Sequence, residues 1–362
     1  MSSHPSNDPV AILTELVSFR TDLADGNERA LADRLAVLLR ERGPDSVTVG
    51  DVPRGDGKAA SYVYARFGSP KLLVNAHLDT VAPNASWASN PFSAVVHDER
   101  LCALGAADTK GAMAAILAAL AEKKPTNTGI LLSGDEEYSG VVMRAFVKSP
   151  LREGLTHAIV CEPTNLHLGV RHRGLIAFEV EVTGPGGHSS LADATPAPLV
   201  TLAKVALALD GWAKRHSLLG PPGFQGTCMN VAQMSGGTAF NVIPTHARLL
   251  VSLRPAPGTK APAICAELEA LVGSIEPLAR VIFIRNNAPF ATQNIVAFER
   301  LLGPCAHPPI DLGFWTEAAV LAASGIDAVV VGPGNIAQAH GPGEWVSLGE
   351  LAQARDLFRS IF

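Results

Sequence analysis

The chain of 362 residues is predicted to have an α/β fold, in which a mainly parallel sheet is flanked by helices and a smaller α+β domain is inserted. In the outer parts of the chain, short apolar runs alternate with helical segments, which is typical of parallel sheets covered on both faces. From residue 176 to 182, apolar and polar residues alternate, which is the period of a half-buried strand. The length also favours two domains. We therefore assign residues 1–172 and 287–362 to one discontinuous domain and residues 173–286 to the inserted domain.

The outer domain is expected to begin with two helices. Asp8 is placed to cap the first helix, with Pro9 at its first position, and the second helix ends before Gly43. Further along, short apolar runs predict buried strands, and a stretch of small residues predicts a tightly packed helix. The expected helices cover residues 10–19, 27–42, 111–121 and 348–362, and the expected strands cover residues 71–76, 130–133, 158–161 and 328–332.

The inserted domain is expected to alternate strands and helices in a different way. Its first strand has the two-residue period described above, and a loop rich in glycine and proline from residue 216 to 226 lies inside the domain. The expected strands cover residues 176–182, 246–254 and 279–285, and the expected helices cover residues 195–209 and 262–272.

Composition excludes several classes of function. The net charge of −5, from 29 basic and 34 acidic residues, leaves no basic stripe for nucleic acid and no polybasic patch for membranes. No charged segment followed by an apolar segment opens the sequence, so we expect no signal peptide, and no apolar run is long enough to span a bilayer. The five cysteines are scattered and include no Cys-x-x-Cys pair, which favours reduced thiols. We expect a cytoplasmic protein that acts on a small molecule.

Most of the acidic and imidazole side chains that stand out in the sequence follow a short apolar run, at the point where a buried strand would end. Ligands of open α/β sheets bind at the carboxyl ends of strands, so these side chains are expected to converge on one crevice. The set contains two histidines and several carboxylates but no cysteine, and such ligands suit Zn²⁺, Co²⁺ or Mn²⁺. The pattern therefore indicates a two-metal hydrolase site. The candidate residues are His77, Asp79, Asp108, Glu136, Glu137, Glu162 and His340.

Each of these residues, taken singly, also has a structural explanation. Asp108 could simply cap the following helix, whereas the functional interpretation makes it a carboxylate that two cations share. Glu136 and Glu137 could form a solvated acidic turn, but two adjacent carboxylates at a buried strand end repel each other unless a cation or proton lies between them. The set as a whole favours the functional interpretation.

Five motifs resemble the M20 family of metallo-hydrolases in order and spacing, and the resemblance covers essentially the whole chain. They are NAHLDTVAP, GAADTKGAMAA, GDEE, CEPT and AQAHGPGEWV. The segments 314–318 and 332–340 are most similar to those of acetylornithine and acetylcitrulline deacetylases within that family. The resemblance implies a zinc-peptidase-like catalytic domain with an inserted lid and dimerisation domain, and therefore a homodimer.

The resemblance also implies a role for each candidate residue. Two divalent cations are expected, zinc first and cobalt or manganese as alternatives. Asp79 would orient His77, and Glu136 would be the general base and acid. The peptide bond between Asp108 and Thr109 is expected to be cis, as is frequent in the family. His77 and Glu162 would bind one cation, Glu137 and His340 the other, and Asp108 both.

Residues of the inserted domain are implied to contact the substrate. His188 is expected to reach an active site, that of the partner subunit, and to stabilise the oxyanion, although its sequence context is also that of a turn residue. Asn241 and Arg254 match positions that hold the α-carboxylate of the substrate, for which an arginine fork is well suited. Arg173 matches less closely, and a solvated arginine at a strand edge is an equal alternative. Two positions of the outer domain, Glu317 and Gly334, are also placed among the substrate-binding residues.

The function implied is metal-dependent removal of an N-acyl group, acetyl first, from an amino acid such as N-acetylornithine or N-acetylcitrulline, in arginine biosynthesis. Alternatives within the family are a succinyl-diaminopimelate desuccinylase and a dipeptide-cleaving carboxypeptidase. A single-domain zinc aminopeptidase would lack the inserted domain. The alternative outside enzymes is an inactive binding homologue, but such a protein is expected to have lost a ligand or the base, and none of the seven candidate positions is lost.

Overall fold

The computed structural model of the protein describes residues 7–22 and 27–362. The chain forms two compact units. The larger unit contains Met1–Val170, Thr292–Ile310 and Thr316–Phe362, and the smaller unit contains Arg171–Ala291 and Asp311–Trp315.

The helices begin and end close to the positions that capping residues suggest. Asp8, Asn27 and Ser347 each accept a hydrogen bond from a backbone N–H in the first turn of the helix that follows. The helices in chain order are α1 (Pro9–Leu16), α2 (Glu28–Arg40), α3 (Lys110–Glu122), α4 (Val141–Phe146), α5 (Pro198–Arg215), α6 (Ala261–Ile275), α7 (Ile295–Leu302), α8 (Ala318–Ala323) and α9 (Leu348–Ile361).

The strands of the described residues form several sheets. In chain order they are β1 (Ser46–Pro53), β2 (Ala59–Phe67), β3 (Leu72–His77), β4 (Val95–His97), β5 (Arg100–Cys102), β6 (Thr128–Ser133), β7 (His157–Val160), β8 (His167–His172), β9 (Leu175–Thr183), β10 (Gly187–His188), β11 (Cys228–Gly236), β12 (Val242–Ile243), β13 (His246–Arg254), β14 (Arg280–Asn287), β15 (Phe290–Ala291), β16 (His307–Leu312), β17 (Asp327–Val330) and β18 (Trp345–Ser347).

The sheet of the larger unit has the order β1-β2-β6-β3-β7-β17-β8. Its centre, from β6 to β17, is parallel, whereas β1, β2 and β8 pair antiparallel with their neighbours. Every residue of β6 is buried, and so is nearly all of β3. Strands covered on both faces appear as continuous apolar runs, which explains why these central strands were predictable and the antiparallel edge was not. The α/β fold class is confirmed, with a mixed sheet whose centre is parallel.

Helix α3 lies in the core of the larger unit between α1 and α9. Its residues from Lys110 to Leu120 are buried, which is possible because most of their side chains are small. At Gly111 a Cβ atom would lie 2.4 Å from the carbonyl oxygen of Ala106, so the segment before the helix can approach it only at a glycine. This close packing fixes the loop that contains Asp108.

The smaller unit contains a four-stranded antiparallel sheet with the order β11-β13-β9-β14. Alternate residues of β9, among them Phe178 and Val180, are buried against α5 and α6, as their two-residue period predicts. Helix α5 extends to Arg215, six residues beyond its predicted end at Leu209. Strand β11 was not predicted, because nearly all of its residues are exposed and show no apolar alternation.

Two further properties concern the chain as a whole. Among residues 7–22 and 27–362, no helix combines the length and the apolar character that a bilayer span needs. All five cysteines are free thiols, and Cys161 and Cys265 are buried.

Candidate metal centre

The predicted ligands lie at one edge of the parallel strands of the larger unit. His77 is the last residue of β3, Glu136 and Glu137 follow β6, and Glu162 follows β7. These three strands are parallel neighbours, so their carboxyl ends lie side by side. The strand pattern of the sequence therefore places these four side chains at the same end of the sheet.

Asp108 lies between two imidazole rings. Its Oδ1 atom is 2.8 Å from Nε2 of His77, and its Oδ2 atom is 3.3 Å from Nε2 of His340. His340 also contacts Oε1 of Glu137 at 2.9 Å. One ligand atom from each of His77, Asp108 and Glu137 lies within 4.8 Å of the others, which is the spacing of a metal site. The peptide bond between Asp108 and Thr109 is cis, as predicted.

The carboxylates of this cluster are buried together. Burial raises the pKa of Glu162 well above its usual range, and the nearby charge of Asp108 adds to this effect. Burial also raises the pKa of Glu136, with a further contribution from Glu162, and it raises the pKa of Glu137. Acidic groups that resist ionisation because of burial and mutual repulsion are stabilised as anions by a cation, so the set is chemically suited to bind one.

The two histidines have the opposite tendency. Hydrogen bonds with Asp108 and Glu137 raise the pKa of His340 to about 10. Burial alone would lower the pKa of His77, but its contacts with Asp108 and Asp79 outweigh burial and raise it. Hydrogen bonds with both histidines outweigh burial at Asp108 and lower the pKa of its carboxyl. Asp108 is therefore the group of the cluster that most readily carries a negative charge.

Asp79 was predicted to orient His77, and the structure shows how it contacts that ring. Nδ1 of His77 lies 3.0 Å from the backbone carbonyl oxygen of Asp79 and 3.6 Å from its carboxylate. A carbonyl oxygen can only accept, so Nδ1 carries a proton, and the Nε2 atom, which faces Asp108, would be the electron-pair donor to a cation once it releases its own proton. The Asp79 carboxylate instead accepts the backbone N–H groups of Glu136 at 3.2 Å and Glu137 at 3.0 Å.

A buried ion pair lies beneath the turn that contains Glu136 and Glu137. Asp135, at the start of this turn, has a positive φ of 67° and accepts from Nη1 of Arg54 at 3.3 Å. Arg54 also lies 3.8 Å from Glu28, whose Oε2 accepts from the N–H of Ser61 at 2.8 Å. Burial, followed by the charge of Asp79, raises the pKa of Glu28 to about 7. These contacts were not predicted, because Arg54 and Glu28 lie in segments without a motif and Asp135, although part of the GDEE motif, was given no role.

Glu344 and Lys110 are further charged residues that the sequence analysis missed. Oε1 of Glu344 accepts from the N–H groups of Ala107 at 2.9 Å and Asp108 at 3.0 Å. Lys110 is fully buried, its Nζ donates to the carbonyl oxygen of Phe19 at 2.8 Å, and burial lowers its pKa to about 7. Both residues lie within motifs that were recognised, but their contacts are with distant backbone groups that sequence spacing does not reveal.

Glu317 and Gly334 were predicted to bind substrate, and both have close contacts within the protein. Glu317 is 1 % exposed, its Oε2 accepts from Oγ of Ser133 at 2.7 Å, and burial raises its pKa to about 7. Gly334 has a φ of +87°, and its N–H donates to Oε2 of Glu350 at 2.8 Å. Oε1 of Glu317 is buried without a hydrogen-bond partner, and the role of both residues in substrate binding stays a prediction.

The remaining predicted residues belong to the smaller unit. His188 is exposed, and its Nδ1 accepts from the N–H of Ser190. The carbonyl oxygen of Asn241 accepts from the N–H of Ser189 at 3.0 Å, so Asn241 and His188 are neighbours. Arg254 ends β13, and burial lowers its pKa. The roles of these three residues stay predictions.

Arg173 has a structural role that neither alternative from the sequence described. Its guanidinium donates to the carbonyl oxygens of Gln225, Gly226 and Arg254, and it lies over the ring of Phe224. These contacts anchor the glycine- and proline-rich loop. They use three of the five guanidinium N–H donors, and the role of Arg173 in substrate binding stays a prediction.

Comparison with known proteins agrees with this geometry. Residues 73–362 match the model of peptidase family M20/M25/M40. An N-acetyl-L-citrulline deacetylase of Xanthomonas campestris is 31 % identical over 94 % of this chain and 93 % of its own. An acetylornithine deacetylase of Myxococcus xanthus is 32 % identical over 87 % of this chain and 83 % of its own. Among solved structures, an M20 family metallo-carboxypeptidase of Sulfolobus solfataricus superposes with a TM-score of 0.78 at 18 % identity, covering 98 % of each chain.

Proposed function

We propose, from the premise that this chain belongs to peptidase family M20/M25/M40, that it removes the acetyl group from an N-acetyl amino acid such as N-acetylornithine or N-acetylcitrulline. The family membership and the two deacetylases establish an amidohydrolase. The finer assignment is supported by the similarity to these two deacetylases over most of the chain. A step of arginine biosynthesis and a cytoplasmic location belong to the same proposal.

The observation that carries the proposal is the position of Asp108 between His77 and His340. We propose that two divalent cations bind here, zinc first and cobalt or manganese as alternatives, with Asp108 shared between them. His77 and Glu162 would hold one cation, and Glu137 and His340 the other. The donor set fits, because it offers imidazole nitrogen and carboxylate oxygen without sulfur. Bound cations of this kind lower the pKa of a coordinated water and polarise an acyl oxygen.

Glu136 is the proposed general base and acid. Its carboxylate takes a proton from the attacking water as the water oxygen forms a bond with the acyl carbon. It then gives the proton to the amine nitrogen as the carbon–nitrogen bond breaks, which yields acetate and a free amino acid. Burial raises the pKa of Glu136, and a raised pKa makes its carboxylate a stronger base.

Recognition of the substrate and of the oxyanion is assigned to the smaller unit. We propose that Arg254 and Asn241 hold the α-carboxylate of the substrate, and that His188 stabilises the oxyanion in the active site of the partner subunit. An oxyanion donor of this kind is typically worth about 3–4 kcal/mol. His188 is the exposed last residue of β10, and its Nδ1 contacts Ser190, which leaves its Nε2 available for such a contact.

A homodimer is part of the proposal, and exposed features of the smaller unit support it. Strand β11 is an edge strand, and Val231 and Met234 on it are 41 % and 40 % exposed. The neighbouring helix α5 exposes Val200 and Leu207, which are 56 % and 74 % exposed. An unpaired edge beside exposed apolar residues is a typical association surface, and a second copy of this chain is the proposed occupant.

A substrate screen tests the proposed activity. The purified protein, treated with a chelator and then loaded with Zn²⁺ or Co²⁺, is assayed on N-acetylornithine, N-acetylcitrulline, succinyl-diaminopimelate and dipeptides with an N-terminal glycine. We expect the two acetylated amino acids to be hydrolysed fastest and the chelated control to be inactive. A preference for the succinylated substrate or the dipeptides would replace the proposal by a desuccinylase or a carboxypeptidase. Cation binding without hydrolysis of any substrate would indicate an inactive binding homologue.

A further inference from the structure

Glu344 is buried directly behind the segment that contains Asp108. The residue is 2 % exposed. Its Oε1 atom accepts the N–H groups of Ala107 and Asp108, at 2.9 and 3.0 Å, and its backbone carbonyl oxygen accepts the N–H of Ala103 at 3.0 Å. Glu344 is thus joined to both ends of the segment from residue 103 to 108.

The backbone N–H groups of Ala107 and Asp108 have no acceptor in a helix or strand. Ala107 and Asp108 precede α3, which begins at Lys110, so their N–H groups have no partner in the helix. Ala107 is 1 % exposed and Asp108 is 6 % exposed, so bulk water cannot replace the lost acceptor. Buried N–H groups are almost always paired, and at this position one carboxylate oxygen pairs with both.

The segment that holds Glu344 also contains His340. Only Gly341, Pro342 and Gly343 separate the two residues, and His340 and Gly343 have positive φ angles of 62° and 78°. The same short turn therefore presents one proposed ligand through its imidazole and fixes the backbone of another, Asp108, through a carboxylate. The two oxygens of Asp108 contact different imidazole rings, so a displacement of its backbone would lengthen at least one of these contacts.

We infer that Glu344 is a positioning residue, which holds Asp108 where its two oxygens face both histidines. The inference rests on the proposed cation site and deepens it. Glu344 contacts neither substrate nor cation in this role, and it acts through the backbone of Asp108. Partners that orient metal ligands in this way typically change metal affinity or activity by 10- to 100-fold when they are removed.

The test compares three variants in the full-length protein, with Co²⁺ alone as the probe. Glu344→Gln keeps an oxygen that can accept both N–H groups, Glu344→Met keeps the volume but has no such acceptor, and Glu344→Asp withdraws the carboxylate by one methylene. Asp327→Leu is the matched control, because Asp327 accepts the N–H groups of Gln293 at 2.8 Å and Asn294 at 2.9 Å and belongs to neither the proposed ligands nor the base. Affinity is measured by isothermal titration, and site geometry by the visible absorption of bound cobalt.

We expect Glu344→Met and Glu344→Asp to weaken Co²⁺ binding at least tenfold and to change the cobalt spectrum, with kcat lowered and KM little changed. Glu344→Gln is expected to stay within about threefold of the wild type, and Asp327→Leu to bind Co²⁺ normally whatever its effect on stability. If Glu344→Met does not fold, the shorter Glu344→Asp decides. The inference would be overturned if Glu344→Met or Glu344→Asp folds and still binds Co²⁺ with the affinity and the spectrum of the wild type. Cation binding by the wild type without deacetylation would instead reject the proposed substrate, while the isotherms still decide the role of Glu344.

Discussion

The carboxylate of Asp79 accepts a hydrogen bond from the backbone N–H of Glu137 at 3.0 Å. Its other oxygen accepts from the N–H of Glu136 at 3.2 Å, and its backbone carbonyl contacts Nδ1 of His77. Asp79, two residues after the end of β3, therefore holds the turn that contains the proposed base and also keeps a proton on Nδ1 of a proposed ligand. This arrangement explains the spacing of His77 and Asp79 more fully than orientation of the imidazole alone.

Asp79→Asn is expected to lower kcat while the protein stays folded. An asparagine amide can accept only through its oxygen, so one of the two N–H groups of the turn loses its partner. We expect a 10- to 100-fold loss of kcat, since outer partners of metal ligands have effects of this size. Steady-state kinetics on the best substrate, with a melting curve as the folding control, measures this. A variant with normal kcat would show that the turn is held by other contacts.

Glu136→Gln is expected to abolish turnover and leave cation binding intact. Glutamine has nearly the same shape but cannot take up the proton of the attacking water, and general bases typically contribute a factor of about 10² to 10⁴. Metal content after dialysis, measured by elemental analysis, is the control, because Glu136 is not one of the proposed ligands. Activity near the wild-type level would remove Glu136 from the mechanism.

Glu28→Gln is expected to make the stability of the protein less sensitive to pH. Burial raises the pKa of Glu28 from 4.5 to about 7, so the folded state holds this proton more tightly than the unfolded state. The stability that this gives is fully present below pH 4.5 and is lost as the pH rises toward 7, by on the order of 3 kcal/mol. Glutamine cannot ionise and keeps an oxygen for the N–H of Ser61.

Urea denaturation of the chelated protein at pH 5 and pH 7 measures this effect. We subtract the urea midpoint of the wild type from that of Glu28→Gln at each pH. This difference should be larger at pH 7 than at pH 5, because only the wild type loses stability when Glu28 ionises. The same difference at both values would mean that Glu28 ionises normally in the folded protein.

Leu207→Glu is expected to convert the proposed homodimer into monomers. Leu207 is 74 % exposed on α5, beside the edge strand β11, and a charge there would be buried in the association surface. Leu278→Glu is the control, because Leu278 is 84 % exposed between α6 and β14 and lies outside that surface. Light scattering coupled to gel filtration reports the mass. A wild-type protein that is already a monomer would refute the homodimer.

The sequence predicted the parts of the fold that depend on continuous burial. Strands such as β3 and β6 are covered on both faces and appear as apolar runs, and the residues that follow them reach the candidate site. Strand β11 was missed because its exposed residues carry no apolar pattern. Helix α1 ends at Leu16 rather than Phe19, where the chain leaves the helix in a tighter turn.

The candidate site was also predicted only in part. Ligand-type residues could be named because their chemistry and their place after strands are visible in the sequence. The partners that position them could not, since Asp79 reaches a turn 57 and 58 residues away and Glu344 reaches a loop more than 230 residues away. Such contacts depend on how the chain folds back on itself, and local spacing contains no signal for them.

A crystal structure of the zinc-loaded protein, with anomalous diffraction at the zinc edge, tests the central claim most directly. We predict two anomalous peaks about 3.5–4 Å apart with the carboxylate of Asp108 between them. His77 and Glu162 should ligate one ion, and Glu137 and His340 the other. A single peak, or ions bound away from Asp108, would contradict the two-cation site.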